Sequence, residues 1–125
     1  MDIKALERFL TSPLAKEMRS AGPDKILREY RFTLLINAAE YDPDTEGEDV
    51  ILLQGVVDCC YETEDGLTVV DFKTDRVNSE EEVAQRAEIY RSQLNAYSLA
   101  LERVLEKKVS RRVLYFLRKG QTVEV

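Results

Sequence analysis

The chain has 125 residues, of which 44% are hydrophobic and 34% are charged, and its net charge at pH 7 is −6. This composition is typical of one folded domain, and the acidic balance argues against a module that binds nucleic acid by charge alone. The chain contains no histidine, which excludes Ser-His-Asp or Cys-His nucleophiles and histidine-ligated zinc within it. Because the sequence contains no bilayer-spanning apolar run and no signal-peptide core at its start, we expect a cytoplasmic protein with no membrane partner.

The first third of the chain predicts two short helices and a strand. Apolar residues spaced as on one helical face run from Ile3 to Met18, and Thr11-Ser12-Pro13 interrupts them. Since proline is well tolerated in the first turn of a helix, a second helix is expected to begin there. Residues 21–24 have the composition of a turn. The alternating, β-prone stretch from Glu29 to Ala38 then predicts strand one.

An acidic segment and two further strands follow. Residues 41–49 are rich in acids, with Pro and Gly, and predict a solvated loop because they lack the ligand spacing of an EF-hand. Residues 50–61 predict strand two, and residues 67–73 predict strand three. Cys59 and Cys60 are neighbours on strand two. Adjacent strand residues point to opposite faces, so we expect two buried thiols in a reducing cytosol and no disulfide.

The second half predicts one long helix and two strands. Ser79 is a helix N-cap followed by three glutamates, which the helix dipole favours, and the helix is expected to reach Lys107-Lys108. Residues 112–117 predict strand four, and residues 122–125 a short last strand. Strand four should return parallel to an earlier strand by a right-handed crossover. The predicted fold class is α/β: a central mixed sheet containing an antiparallel three-strand meander, with the long helix on one face and the N-terminal helices on the other.

The hairpin of strands two and three predicts a metal site. Side chains alternate along a strand, so Asp71 and Lys73 share a face. A turn at Glu64-Asp65 places Asp58 opposite Asp71, and a turn at Asp65-Gly66 places it opposite Lys73; both registers put the three side chains on one face if the ladder has no bulge. Carboxylates roughly 5 Å apart repel each other unless a cation bridges them. The alternative is a surface salt-bridge cluster.

Three motifs in this order carry a resemblance to a known family. They are Gly55-Val-Val-Asp58, then Val70-Asp71-Phe72-Lys73-Thr74-Asp75, then Gln93-x-x-x-Tyr97. Together they resemble the nuclease domain of the bacterial RecB- and AddA-type helicase–nucleases, in the PD-(D/E)XK superfamily, over about residues 26–117. The resemblance implies a restriction-endonuclease-like fold and a Mg²⁺- or Mn²⁺-dependent deoxyribonuclease. It further implies an exonuclease that processes double-strand DNA ends for recombinational repair.

The resemblance implies roles for individual residues. Asp58, Asp71 and the backbone carbonyl of Phe72 would ligate Mg²⁺ or Mn²⁺. Lys73 would position the attacking water or help to deprotonate it. The implied catalytic residues are Asp58, Asp71, Lys73, Gln93 and Tyr97.

Several side chains have a second interpretation. Gln93 and Tyr97 lie one helical turn apart and would orient Lys73 or the DNA strand, although an exposed glutamine and a core tyrosine are the alternatives. Glu29 is as consistent with a solvated strand edge as with support of the site. Arg76 and Arg86 are candidates for contact with a DNA phosphate, but the expected state of both is a solvated surface charge.

The implied partners are DNA, the helicase part of the same polypeptide and a second nuclease subunit. Active members of the RecB-like branch carry an upstream helix with a metal-ligating histidine, which this chain lacks. We therefore expect residues 1–125 to form a single nuclease-like domain truncated on its N-terminal side. The sequence has no GxxxxGK[ST] loop, so no ATPase activity is expected of it. A non-catalytic DNA- or partner-binding domain of the same fold and a stand-alone repair exonuclease remain as alternatives.

Overall fold

A computed structural model describes residues 3–41, 44 and 47–125 of the chain. Its elements in chain order are α1 (Ile3–Leu10), α2 (Pro13–Ala21), a 3₁₀ turn (Pro23–Lys25), β1 (Ile26–Asn37), α3 (Ala38–Tyr41), β2 (Val50–Thr63), β3 (Gly66–Lys73), α4 (Glu80–Leu105), β4 (Val109–Phe116) and β5 (Gln121–Glu124). Within the described residues, none of the helices combines the length and apolar character that a membrane crossing requires.

Serine caps begin two helices, and the sequence predicted the one at Ser79. Ser12 Oγ accepts a hydrogen bond of 3.2 Å from the Ala15 N–H at the start of α2. Ser79 Oγ accepts one of 3.2 Å from the Glu82 N–H at the start of α4. Each bond satisfies one of the N–H groups that the first helical turn leaves without an internal partner. At the other end of α4, Glu106 takes a left-handed conformation with φ 55° and ends the helix.

The five strands form one mixed sheet in the order β1-β2-β3-β4-β5. The first three strands are antiparallel neighbours, β4 pairs parallel to β3, and β5 returns antiparallel to β4. Helix α4 makes the crossover between β3 and β4, as a parallel connection requires. The predicted α/β class, the three-strand meander and the parallel return of the fourth strand are therefore confirmed.

Two apolar clusters hold the helices against the two faces of the sheet. Leu94 and Leu101 of α4 pack on one face, and Leu14 and Met18 of α2 pack on the other. Cys60 belongs to the first cluster and Cys59 to the second, both as free thiols. Burial raises the pKa of Cys59 to about 11 and that of Cys60 to about 12. Both thiols are therefore structural side chains, as predicted.

Several predicted boundaries were wrong. Strand β1 begins at Ile26, before the predicted start, and its end is followed by a short helix, α3, which the sequence did not predict. Helix α4 ends earlier than predicted, and β4 begins earlier, at Val109. Residues 42, 43, 45 and 46 of the predicted acidic loop lie outside the described residues. These differences fall at element ends, where local propensity is weakest and tertiary contacts decide.

Candidate active site

Strands β2 and β3 place Asp58 and Asp71 side by side. The ladder pairs Cys59 with Val70 and continues unbroken to the Glu64-Asp65 turn, so the first of the two predicted registers is the observed one. Asp71 is only 4% exposed, and its carboxyl group hydrogen-bonds with that of Asp58. Burial, followed by this contact with Asp58, raises the pKa of Asp71 to about 6. Without a cation, the pair therefore retains a proton at mildly acidic pH.

One oxygen of Asp71 is buried without an aligned donor. Asp71 Oδ2 lies 2.6 Å from Lys73 Nζ, which is ion-pair distance, but the angle between the groups does not make a directed hydrogen bond within the described residues. A buried carboxylate oxygen held in this way suits a hard divalent cation. In the described part of the chain, no histidine, cysteine or further acidic side chain joins the two aspartates. A metal here would therefore depend on the main chain or water for further ligands.

The backbone of Phe72 faces the aspartate pair. Asp58 Oδ2 accepts a hydrogen bond of 2.9 Å from the Phe72 N–H, whereas Lys73 O accepts one of 2.9 Å from Leu117 N on the β4 side. Neighbouring strand residues direct their backbone groups to opposite sides, and one residue directs its N–H and C=O to the same side. We infer that the Phe72 carbonyl also faces β2 and Asp58. Its role as a metal ligand stays a prediction.

Three side chains surround the ammonium group of Lys73. Besides its ion pair with Asp71, Lys73 Nζ donates a hydrogen bond of 2.9 Å to Gln93 Oε1. It also lies 4.0 Å from the centroid of the Tyr90 ring, within the range of a cation–π contact. The Lys73 side chain is 15% exposed. The ammonium group is therefore held in one place by three neighbours at the end of a largely buried side chain.

Helix α4 supplies Gln93 and Tyr97 to the same cluster. Gln93 Nε2 donates a hydrogen bond of 3.0 Å to the Tyr97 hydroxyl, so the amide is fixed at both ends. Burial, and then the nearby Asp71 charge, raises the pKa of Tyr97. The structure thus brings the five residues predicted as catalytic into one connected cluster.

Sequence reasoning missed two members of this cluster. The Tyr90 hydroxyl donates to the Asp75 carboxylate, at 2.8 and 3.1 Å to its two oxygens, and Arg86 Nε lies 3.8 Å from Asp75 Oδ2. Tyr90 was given no site role from the sequence, and Arg86 was a candidate for contact with phosphate, with solvated charge as the expected state. A signal was available, because Tyr90 precedes Gln93 by three residues and therefore lies on the same helical face.

Glu29 lies beside the cluster but outside the carboxylate pair. The β1–β2 register pairs Arg28 with Cys59 and Tyr30 with Val57, which places Glu29 opposite Asp58. Glu29 has φ 48°, a left-handed conformation that non-glycine residues seldom adopt in a strand. It is exposed and lines a cleft of about 700 Å³ together with Asp58.

A family model described as the PD-(D/E)XK nuclease superfamily matches residues 2–124. This match covers nearly the whole chain, and the sheet and the Asp58, Asp71 and Lys73 cluster lie within it. The chain therefore belongs to the PD-(D/E)XK nuclease superfamily.

Within that superfamily, the chain is similar to the AddA component of the ATP-dependent helicase/nuclease in several bacteria, which confirms the AddA-type resemblance. It is 42% identical over 120 residues to that of Heliobacterium modesticaldum, covering 91% of this chain and 8% of the relative. Identity is 41% over 104 residues for Desulforudis audaxviator (82% of this chain, 8% of the relative) and 36% over 129 residues for Ruminiclostridium cellulolyticum (100% and 10%). The chain thus spans about a tenth of the length of these relatives.

Proposed function

We propose that the chain is a Mg²⁺- or Mn²⁺-dependent deoxyribonuclease domain that hydrolyses phosphodiester bonds. The observation that supports this most directly is the paired Asp58 and Asp71, whose buried Oδ2 has no aligned donor, beside the held ammonium group of Lys73. The relatives are named as components of an ATP-dependent helicase/nuclease. On that basis we further propose exonuclease action within a helicase–nuclease that processes double-strand DNA ends for recombinational repair, where its partner is a second nuclease subunit.

The metal-holding residues in this proposal are Asp58, Asp71 and the main-chain carbonyl of Phe72. A divalent cation bound there would supply a water of lowered pKa and would offset charge on the scissile phosphate. Ligating carboxylates are deprotonated, so the proton that the pair retains must leave before they bind a cation. Asp58 is held for this task by the Phe72 N–H, which fixes one of its oxygens.

Lys73 has the electrostatic role. Its ammonium group is held by Asp71 and Gln93, so it costs little reorganisation to donate to a phosphate oxygen or to the attacking water. Tyr97 acts through Gln93, because its hydroxyl fixes the amide that in turn holds Lys73. Both Gln93 and Tyr97 are therefore positioning residues for the lysine.

A cleavage assay tests the proposal. End-labelled linear DNA is incubated with the purified chain in Mg²⁺, in Mn²⁺ and in EDTA, and the variants Asp71→Asn and Lys73→Ala are compared with wild type. We expect cleavage only with a divalent cation and a loss of roughly 100-fold or more in each variant, the usual effect of removing a charge-stabilising group. Glu64→Gln is the matched control, because Glu64 is an exposed acid at the turn of the same hairpin. Equal cleavage by Asp71→Asn and wild type would contradict the assignment.

The second candidate is a non-catalytic domain of the same fold that binds DNA or a second protein chain. The net charge of −6 favours its protein-binding form, since an acidic chain attracts DNA weakly. It predicts no cleavage under any metal condition and DNA or partner binding that is unchanged in Lys73→Ala. The same set of variants therefore separates the two candidates.

A further inference from the structure

Lys73 has two neighbours on α4, and Gln93 is only one of them. Tyr90 lies three residues before Gln93 on the same face of the helix. Its ring centroid is 4.0 Å from Lys73 Nζ, a distance at which the negative face of an aromatic ring attracts an ammonium group. Gln93 Oε1 accepts a hydrogen bond of 2.9 Å from the same nitrogen. Helix α4 therefore holds the lysine with an amide oxygen and with a ring face.

The Tyr90 ring is tethered by its own hydroxyl group. The hydroxyl donates to the Asp75 carboxylate, at 2.8 and 3.1 Å to its two oxygens. Burial, and then this hydrogen bond, raises the pKa of Tyr90, so the hydroxyl keeps its proton at neutral pH and remains a donor. The Asp75 side chain is only 17% exposed, and Arg86 Nε lies 3.8 Å from its Oδ2. Asp75 therefore limits the movement of the ring that faces Lys73.

The connection between β3 and α4 holds Asp75 in place. Thr74 O, the carbonyl oxygen just before it, accepts a hydrogen bond of 2.7 Å from Arg118 Nε. Val77, two residues after Asp75, is buried in the apolar cluster that holds α4 against the sheet. The backbone is thus fixed on both sides of Asp75. Its carboxylate can therefore serve as a rigid anchor for a ring that belongs to a different element.

A ring face suits the task of holding this ammonium group better than a further oxygen would. The ammonium group of Lys73 has three N–H donors. Gln93 takes one of them, and the ion pair with Asp71 draws on a second. A carboxylate in the place of Tyr90 would compete for the third with a water or a phosphate oxygen, whereas a ring attracts the cation through its quadrupole. The Tyr90 ring therefore fixes the group and leaves one donor for the reaction.

We propose that Tyr90 is a positioning residue for Lys73 and that Asp75 is the anchor that fixes the Tyr90 ring. Neither side chain contacts the reacting atoms: the ring places the ammonium group, and the carboxylate places the ring. A divalent cation would share the Asp71 carboxylate with Lys73, which increases the need for an uncharged neighbour such as Tyr90. This inference deepens the proposed function and rests on it for the role of Lys73.

Proton–carbon NMR of the purified chain, isotope-labelled at lysine, measures the placement of Lys73 without any cleavage. Protons close to the face of an aromatic ring shift upfield. In EDTA, the ε-CH₂ signal of Lys73, assigned by its loss in Lys73→Arg, should therefore lie upfield of the other lysine signals.

A set of variants divides this shift between the ring and its anchor. Tyr90→Leu should remove the upfield shift. Tyr90→Phe and Asp75→Ala keep the ring but not its anchor, so each should reduce the shift. The double variant should reduce it no further, because both changes remove the same hydrogen bond. Tyr41→Phe is the matched control, because it removes the hydroxyl of an exposed tyrosine. Thermal melting of each variant checks that the fold is retained.

Cleavage kinetics test whether the placement matters to the reaction. The rates are measured on end-labelled linear DNA in Mg²⁺ over a range of DNA concentrations. Tyr90→Leu should lower kcat by roughly 10-fold with little change in KM, because the lost attraction acts on the group that serves the transition state. Tyr90→Phe and Asp75→Ala should each lie between Tyr90→Leu and wild type, in the same order as their NMR shifts. Tyr41→Phe should match wild type.

The two measurements separate this inference from the proposed function. A Lys73 signal that is not upfield in wild type, or that is unchanged in Tyr90→Leu, would overturn the inference. An unchanged signal in Asp75→Ala would overturn the anchor. If Tyr90→Leu does not fold, an unchanged signal in Tyr90→Phe together with an unchanged kcat overturns the inference in its place. Wild-type cleavage with an unchanged kcat in Tyr90→Leu overturns the role of Tyr90 alone. The expected NMR shifts without any cleavage support the placement of Lys73 and overturn only the proposed catalysis.

Discussion

Replacing Asp71 with asparagine is expected to stabilise the metal-free protein at neutral pH. Asp71 is buried beside Asp58, and its pKa rises from an ordinary value of 3.8 to about 6. The ionised form is thus disfavoured in the folded state by about two pKa units, which corresponds to roughly 3 kcal/mol. Asparagine keeps the shape of the carboxyl group without its charge. The free energy of unfolding should therefore rise by up to roughly that amount, which already allows for the ion pair with Lys73 because the pKa shift is net of it.

The gain should depend on pH in a defined direction. A folded-state pKa above the unfolded value means that the folded protein binds more protons between about pH 4 and 6. Wild-type stability therefore falls as pH rises through that window, while Asp71→Asn is insensitive to this titration. The difference between the two proteins should be largest above about pH 7 and should vanish near pH 4.

Thermal unfolding in EDTA measures this effect. At roughly 4 °C per kcal/mol for a domain of this size, the variant should melt up to about 10 °C above wild type at neutral pH. The control Glu64→Gln changes an exposed carboxylate on the same hairpin and should stay within about 0.5 kcal/mol of wild type. Added Mn²⁺ at about 100 times its Kd should stabilise wild type by about 2.7 kcal/mol and leave Asp71→Asn unchanged.

One result would refute the reasoning. If Asp71→Asn melts below wild type at neutral pH, then the ion pair between Asp71 and Lys73 outweighs the cost of burying the charge. The pair would then be a stabilising salt bridge, and the absence of a Mn²⁺ response in wild type would confirm that interpretation.

Three further predictions concern the N-cap of α4, the turn between β2 and β3, and the pH dependence of Mn²⁺ binding. Ser79→Ala should cost about 1 kcal/mol in urea unfolding, because it removes the acceptor of the Glu82 N–H at the start of α4. Gly66→Ala should cost more than about 2 kcal/mol in the same assay, because Gly66 has φ 131° and an added Cβ would lie 2.6 Å from Lys108 O. Mn²⁺ affinity measured by calorimetry should fall below about pH 6, by up to about tenfold per pH unit, because protonation of Asp71 competes with the cation. An affinity that stays the same from pH 7 to pH 5 would contradict this prediction.

Local signals explain why much of the fold was predictable. The turn signal at Glu64-Asp65-Gly66 and the period-two patterns on either side of it limited the hairpin to two registers, and the structure has the one that places Asp58 opposite Asp71. The cap at Ser79 and the length of α4 required a crossover, which led to a parallel fourth strand. Each of these signals acts within a few residues or follows from chain connectivity.

The parts that were not predicted depend on contacts between distant segments. Alternation breaks at Glu29, where φ is positive. On the neighbouring strand it breaks at Asp58, because Val57 packs with the α4 cluster and Cys59 with the α2 cluster. The alternating pattern of β1 is therefore regular only from Glu29 onward, which is why the predicted strand began three residues after the observed start at Ile26. The contact of Tyr90 with Lys73 and Asp75 was missed because a tyrosine on an apolar stripe is equally explained by packing.

The glycine of the Gly55-x-x-Asp58 motif has a physical role that a substitution can test. A Cβ on Gly55 would lie 3.1 Å from Tyr97 Cε1 and 3.3 Å from Phe32 Cζ, closer than ordinary contacts. The Tyr97 ring therefore packs directly on the backbone of Gly55, while its hydroxyl accepts a hydrogen bond from Gln93 one turn away on the same helix. Gly55→Ala should cost about 1 kcal/mol net, since overpacking costs about 1–3 kcal/mol and the reduced entropy of the unfolded chain returns about 0.4–1 kcal/mol.

A double-mutant cycle with Tyr97→Leu identifies the cause of that cost. If the added methyl group acts by displacing the tyrosine ring, then Gly55→Ala should cost much less in the Tyr97→Leu background, with a coupling energy of at least about 0.5 kcal/mol in urea unfolding. Cleavage should also fall in Gly55→Ala, because the displaced ring no longer fixes Gln93 and, through it, Lys73. Additive costs would show that Gly55 serves the backbone of β2 and not the ring. The spacing of the motif would then have a purely structural origin, and Tyr97 would owe its position to α4 alone.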